Sequence, residues 1–243
     1  IAYVGVPAFI VTLAGMLLFR GLAIVLVGET VAGLPQGFIR IANGYLPNVL
    51  GWADRADVVT LAIGGIAIIA TVFSQLRARA SLRKHELQTE AIGLFIAKLV
   101  VISASIAALA VVLSLSAGGT PIVLVIIGVL VVAYSFVMGR TVFGRHIYAI
   151  GGNRLAASLS GVNTRRVDFW IFVHMGILAS IAAIITTSRA GAGVAAAGNM
   201  YELDAIAACF IGGAAVTGGI GRISGAIVGA LIMGVLNMGL SIM

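Results

Sequence analysis

Long, uninterrupted apolar runs dominate the chain. They fall at roughly 9–28, 57–76, 91–116, 121–138 and 168–187, followed by a pair at 204–217 and 223–243. Each full run approaches the ~20 residues that a helix needs to cross a hydrocarbon core. The runs do not alternate apolar with polar, so the period-two pattern of a membrane β-barrel is missing. The pattern predicts an all-α, polytopic transmembrane helical bundle. The final pair departs from it. The run at 204–217 is short, and Gly212, Gly213, Gly218, Gly219 and Gly221 interrupt it. That makes a Gly-broken C-terminal helix pair, either re-entrant or a hairpin of tilted, closely packed helices. Gly221, Gly225 and Gly229 recur every four residues. They predict a helix face of bare backbone that serves packing.

One segment is not written for lipid. Ile150–Val162 lies between two spans and predicts a short soluble helix. Asn153 can cap its start, and Gly161 can supply a left-handed stop. Leu155 and Leu159 sit one turn apart on one face, with Ala156, Ala157, Ser158 and Ser160 around them. Two turns are too few to be stable alone in water, so this helix needs something to dock against.

Composition agrees with a lipid solvent. The 243 residues are 61% hydrophobic and 9% charged, against about 25% charged in soluble domains. Mean hydropathy is +1.17. The 32 glycines suit tight helix packing in lipid, where small residues let backbones approach. Cys209 lies in an apolar stretch and is expected to be a buried, inert thiol. The first residue is Ile1 and the apolar character continues to Met243, so the sequence reads as one transmembrane domain, 1–243, cut from a longer chain.

The net charge of +7 is concentrated in two loops. Arg77, Arg79, Arg83 and Lys84 lie in 77–90; Arg140, Arg145, Arg154, Arg165 and Arg166 lie in 139–167. Two spans separate these loops, so both face one side, which the positive-inside rule makes cytoplasmic. The insert 29–56 then faces outward, with Glu29, Asp54, Arg40 and Arg55 in balance. The segment 188–203 also faces outward, and the Gly218–Arg222 turn faces inward. Charge that flanks spans needs no nucleic acid to explain it, and no aromatic-plus-basic surface is present.

Catalytic and metal signatures are missing. Lys84 follows Arg83 and Lys98 follows Ala97, so the Gly-Lys-Ser/Thr end of a phosphate-binding loop is not there. His85, His146 and His174 are scattered, which gives no metal spacing. No paired carboxylates sit within a span. The chain is expected to be no enzyme and to hold neither a cofactor nor a metal.

The sequence Ala156-Ala157-x-x-x-Gly161 matches the core of the cytoplasmic loop in permeases of ATP-binding-cassette importers. The wider stretch Phe143–Gly161 resembles the monosaccharide permeases of that class, which serve ribose, galactose and xylose. Pro7–Gly15 resembles their entry to a span. Tyr201–Ala208, with Gly212-Gly213 and Gly218–Arg222, resembles their C-terminal block. The likeness covers essentially the whole chain. The insert 29–56 and the loop 77–90 look most like the xylose-type permeases. Other importer families carry Glu where Leu155 stands and an Ile-x-x-Leu-Pro tail after Gly161, so their docking contacts do not transfer here.

The resemblance implies a multi-pass permease of the bacterial inner membrane that imports a pentose or hexose, with xylose the best match. It implies a partner ATPase that binds ATP and magnesium, a periplasmic sugar-binding protein and a second permease copy. The loop 139–167 would be the cytoplasmic coupling loop, and Asn153, Arg154, Leu155, Ala156, Ala157, Leu159 and Gly161 its ATPase-coupling residues. Nucleoside or branched-chain amino-acid permeases of the same class differ only in substrate.

Polar groups on apolar helices complete the candidates. Arg20 sits mid-span, where it faces a path or a neighbour, or pairs locally with Glu29. His174 and Asn237 are interhelical hydrogen-bond partners or path residues. Asn199, Glu202 and Asp204 precede the broken pair and could meet sugar hydroxyls at the pathway mouth. An ion-coupled secondary transporter would need carboxylates inside spans. Here Glu29, Asp54, Asp57, Glu86, Glu90, Asp168, Glu202 and Asp204 sit in loops or at span ends.

Overall fold

The computed structural model describes residues 2–47, 52–53, 56–84, 91–116 and 118–243. Asp54, Arg55, His85, Glu86 and Glu90 lie outside these. The described residues form α1 (Ala8–Val27), α2 (Gln36–Asn43), β1 (Trp52–Ala53), β2 (Ala56–Asp57), α3 (Val58–Lys84), α4 (Ile92–Ser114), α5 (Ile122–Arg140), α6 (Val142–Gly152), α7 (Arg154–Leu159), α8 (Thr164–Ala190), α9 (Tyr201–Ile211) and α10 (Ile223–Ile242). Among the described residues the fold is all-α apart from one minimal strand pair, Trp52 with Asp57 and Ala53 with Ala56, and isolated bridges at Val31–Gly193 and Tyr45–Pro121. Among the described residues six helices, α1, α3, α4, α5, α8 and α10, are long and apolar enough to cross a membrane.

Large apolar side chains point outward along these six, for example Phe9, Leu18, Val101, Val132 and Leu231. Among the described residues the buried apolar ones are small: Ala110, Ala157, Val167 and Ala208. In lipid this inversion carries no penalty, because acyl chains are as apolar as leucine. The residues gather into two compact units, 43–125 and 1–42 with 126–243.

In the unit 43–125, α3 and α4 approach through small residues. A side chain at Gly64 would run into the Ala110 methyl. The start of α3 is fixed by a buried carboxylate. Asp57 accepts from the Val59 amide at 3.1 Å, the Thr60 amide at 3.3 Å and the Thr60 hydroxyl at 2.6 Å. Thr60 Oγ1 lies 2.8 Å from Thr120 Oγ1. Asp57, Thr60 and Thr120 are each at most 2% exposed. Asp57 is thus an N-cap that offers its oxygens to otherwise orphaned donors. Asp57→Ala is expected to cost about 2 kcal/mol, lowering the thermal midpoint of the purified protein. An unshifted midpoint would contradict that role.

In the other unit, α2 rests on the end of α8. The fully buried Ser188 hydroxyl donates to the Phe38 carbonyl at 2.7 Å and accepts from the Ala42 amide at 2.9 Å. Val31 and Gly193 exchange two backbone bonds of 2.9 Å. The segment 31–42 is therefore pinned at two points.

Several boundaries differ from the sequence reading. The loop 139–167 contains two helices instead of one. α6 forms because Thr141 caps it, accepting from the Gly144 amide at 3.2 Å. The insert 29–56 holds α2, whose Phe38, Ile39 and Ile41 interleave with Gln36 and Arg40. Arg77, Arg79 and Arg83 belong to the last turns of α3, since their long stems are good helix formers. The Arg79 guanidinium stacks 4.4 Å from the Phe95 ring centre. The run 204–217 is helical only to Ile211 in α9, which begins earlier, at Tyr201. Cys209 is exposed, not buried. It lies one residue past Ala208, which faces α10, and successive helical positions diverge by about 100°.

Candidate functional site

The segment 153–163 is built from local signals. The Asn153 side chain accepts from the Ala156 amide at 2.9 Å and opens α7. Gly161 adopts φ 86°. Its amide bonds to the Ser158 carbonyl at 3.1 Å, and the Val162 amide to the Ala157 carbonyl at 3.1 Å. Those two bonds make a complete Schellman stop, which only a left-handed residue allows. Asn163 then caps α8 by accepting from the Arg166 amide at 3.0 Å. Asn153 and the Gly161 stop thus bound α7 at its two ends, and Asn163 opens the next helix.

α7 divides its faces sharply. Ala157 is 5% exposed and rests on the unit, whereas Leu155 and Leu159 are 70% and 80% exposed. Arg154 forms an ion pair with Asp168 on α8. Ala156 is exposed, as are Arg145, Arg165 and Arg166 nearby. α7 thus turns two leucines outward, on a stretch of chain that also carries the exposed Arg145, Arg165 and Arg166. A cavity of about 430 Å³ opens beside it, lined by His146, Asn163, Arg166 and Trp170 among others.

α6, which leads into α7 through Asn153, is tied to the C-terminal pair. Tyr148 on α6 donates its hydroxyl to the Gly221 carbonyl at 2.9 Å. Gly151, at the end of α6, sits directly on Gly219: a side chain there would run into the Gly219 amide and lie 2.9 Å from its Cα. The α9–α10 contact is equally close. Gly225 lies on the Gly212 carbonyl and Gly229 on the Ala208 carbonyl, with no room for a side chain at either. Gly221 lies ahead of α10, and a Cβ there would be 3.6 Å from Ala214 Cβ, an ordinary contact. So Gly225 and Gly229 pack helix on helix, and Gly221 serves by its carbonyl.

The polar candidates scatter. Asp204 and Asn237 meet, Nδ2 donating to the carboxylate at 3.0 Å, and bridge α9 to α10. His174 lies 3.1 Å from the Tyr134 hydroxyl through Nδ1. Phe143 and Trp170 enclose the ring at 5.6 and 6.4 Å between centres. Arg20 is half-buried on α1, and among the described residues no ion pair joins it to Glu29. Asn199 and Glu202 are exposed around Met200, which holds φ 70° at the entry to α9. Sequence reasoning does not anticipate the contacts of Tyr148, Gly151, Gly219, Tyr134 or Ser188, all of which reach across long separations. The Gly-Gly pairs at 151–152 and 218–219 are the visible signal for the first contact. Among the described residues no cluster of His, Cys, Asp and Glu could hold a metal ion.

The family model described as branched-chain amino acid transport system / permease component matches residues 1–243. The chain is 41% identical over its full length to the xylose transport system permease protein of Escherichia coli, covering 60% of that protein. It is 39% identical, again over its full length, to the xylose transport system permease protein of Haemophilus influenzae, covering 62% of it. Similarity to the ribose import permease protein of Escherichia coli is 43% over 125 residues, 51% of this chain and 39% of that one. The chain thus spans about three fifths of the length of its full-extent relatives. No solved structure is a significant match.

Proposed function

The chain belongs to the family of branched-chain amino acid transport system permease components, and from that premise we propose that it forms the membrane path of an ATP-driven monosaccharide importer, with xylose its substrate. As a permease component it is a transport subunit, and its six membrane-length helices make it multi-pass. In this reading ATP and magnesium bind a separate cytoplasmic ATPase. A periplasmic sugar-binding protein delivers substrate to the outer face, and a second permease copy completes the path across the bacterial inner membrane.

The observation that carries the proposal is α7: a helix closed at both ends with Leu155 and Leu159 turned outward, in a loop rich in arginine. An apolar ridge of that kind suits a groove with an acidic edge on the ATPase. The positive-inside distribution favours the cytoplasmic side for 139–167, where that partner is. Ion coupling gains no support. Among the described residues the carboxylates stand at helix ends or in loops, and the buried one, Asp57, is occupied as a cap.

Xylose is favoured over an amino acid because the full-length likeness is to two xylose permeases. A neutral sugar also needs only modest polarity along its path. The family's own description leaves branched-chain amino acids as the second reading. Uptake by the reconstituted transporter of labelled xylose, ribose, galactose and leucine decides between them. Xylose uptake suppressed by excess cold xylose but not by leucine is expected. Leucine uptake without sugar uptake would refute the sugar assignment.

A further inference from the structure

We propose that Tyr148, Gly151 and Gly219 form the joint through which α7 drives the α9–α10 hairpin, making them positioning residues for coupled transport. This rests on the reading of α7 as the ATPase contact. The joint is short and stiff. α6 ends at Gly152, and α7 starts after Asn153 alone. Just before that junction, the backbone of Gly151 and Gly152 lies against Gly218 and Gly219. A side chain at Gly219 would sit 2.7 Å from the Gly152 nitrogen and 2.9 Å from its Cα, and one at Gly218 would be 3.1 Å from the Gly151 carbonyl oxygen. Gly218 and Gly219 have φ of 87° and 75°, so the turn takes this shape because they are glycines.

The turn itself is closed by bonds of 3.0 Å from the Ala215 amide to the Ile220 carbonyl and from the Gly218 amide to the Ala215 carbonyl. Beyond it, Gly212, Gly225, Gly229 and Ala208 lock α9 to α10 backbone on backbone, and Asp204 with Asn237 ties the far end. Each link from α7 to Asn237 is therefore a contact between backbones or a directed hydrogen bond. The backbone contacts at Gly151, Gly219, Gly212, Gly225 and Gly229 transmit a push that flexible side chains would absorb. A cavity of about 470 Å³ borders the turn, lined by Tyr148, Gly213, Arg222 and Ser224 among others. α7 also leads through Gly161 and Asn163 into α8, and there the side-chain link, the Arg154–Asp168 pair, is half in solvent and yields easily.

The test uses the intact transporter with its ATPase and sugar-binding protein, comparing Gly219→Ala, Tyr148→Phe and Leu159→Arg. Three quantities are measured: affinity for the ATPase, sugar import, and stimulation of ATP hydrolysis by loaded binding protein. Gly219→Ala is expected to bind the ATPase as wild type does, yet to lose import and stimulation about tenfold. Tyr148→Phe removes one hydroxyl and keeps the shape, so it decides the matter should Gly219→Ala fail to fold; its expected loss is about threefold in both, with affinity unchanged. Wild-type import by the two joint variants would overturn the proposal, as would a fall in ATPase affinity equal to the fall in import. Failure of the wild-type permease to bind an ATPase would instead overturn the parent reading of α7.

Discussion

Leu159→Arg is expected to abolish import and stimulated ATP hydrolysis while leaving membrane insertion and fold intact. Leu159 is 80% exposed, so its side chain adds little to the packing of α7 in the isolated subunit. The caps on either side are Asn153 and the Gly161 stop. The substitution therefore costs little in the isolated subunit, since arginine is as good a helix former as leucine. In the complex the effect reverses. A leucine that fills an apolar pocket contributes about 2 kcal/mol, and a guanidinium put in its place leaves a charge unpaired in the interface. Together these predict at least a ~30-fold loss of affinity for the ATPase. Co-purification and size-exclusion profiles report binding and fold separately. Import at the normal rate by the Leu159→Arg variant would remove α7 from the coupling interface.

The second large effect falls on stability. Gly229→Val forces a branched side chain into the Ala208 carbonyl, where even a Cβ has no room. Backbone cannot step aside as a flexible side chain can, so α9 and α10 must separate. The cost is about 3 kcal/mol, at the upper end for overpacking, which corresponds to a fall of roughly 6–12 °C in thermal midpoint for a chain of this size. Gly239→Val on the same helix is the control. Nothing lies within 4 Å of Gly239, so its midpoint is expected to stay put or rise slightly. Equal midpoints for the two variants would mean that α9 and α10 do not pack through Gly229.

What is legible in the sequence follows from the range of the interactions. Membrane-length helices announce themselves, because apolar runs of sufficient length are dictated by lipid alone. α7 is legible for a different reason: Asn153 and Gly161 are local signals, acting within four residues of their own position. α6 is hidden. Its Phe-Gly-Arg-His sequence mixes a helix-weakening glycine with loop-like charge, and the deciding residue is the single cap Thr141. α9 is shorter and earlier than its apolar run because Gly212 and Gly213 end it, and the apolar residues beyond them belong to the turn. Ser188 on Phe38, Tyr134 on His174 and Gly151 on Gly219 are separated by up to 150 residues, and nothing local marks them. Asp204 and Asn237 each stand out for polarity in an apolar setting, yet their pairing is not legible. Cys209 departs from expectation because an apolar stretch suggests burial, whereas a lipid-exposed helix turns such residues outward.

The most direct test of the whole reading is the energy source. Vesicles containing the permease, its ATPase and the sugar-binding protein are loaded with labelled xylose on the binding-protein side, and uptake is followed with ATP, with a non-hydrolysable analogue, and with a proton or sodium gradient alone. Uptake with ATP only is expected. Uptake driven by the ion gradient without ATP hydrolysis would contradict it.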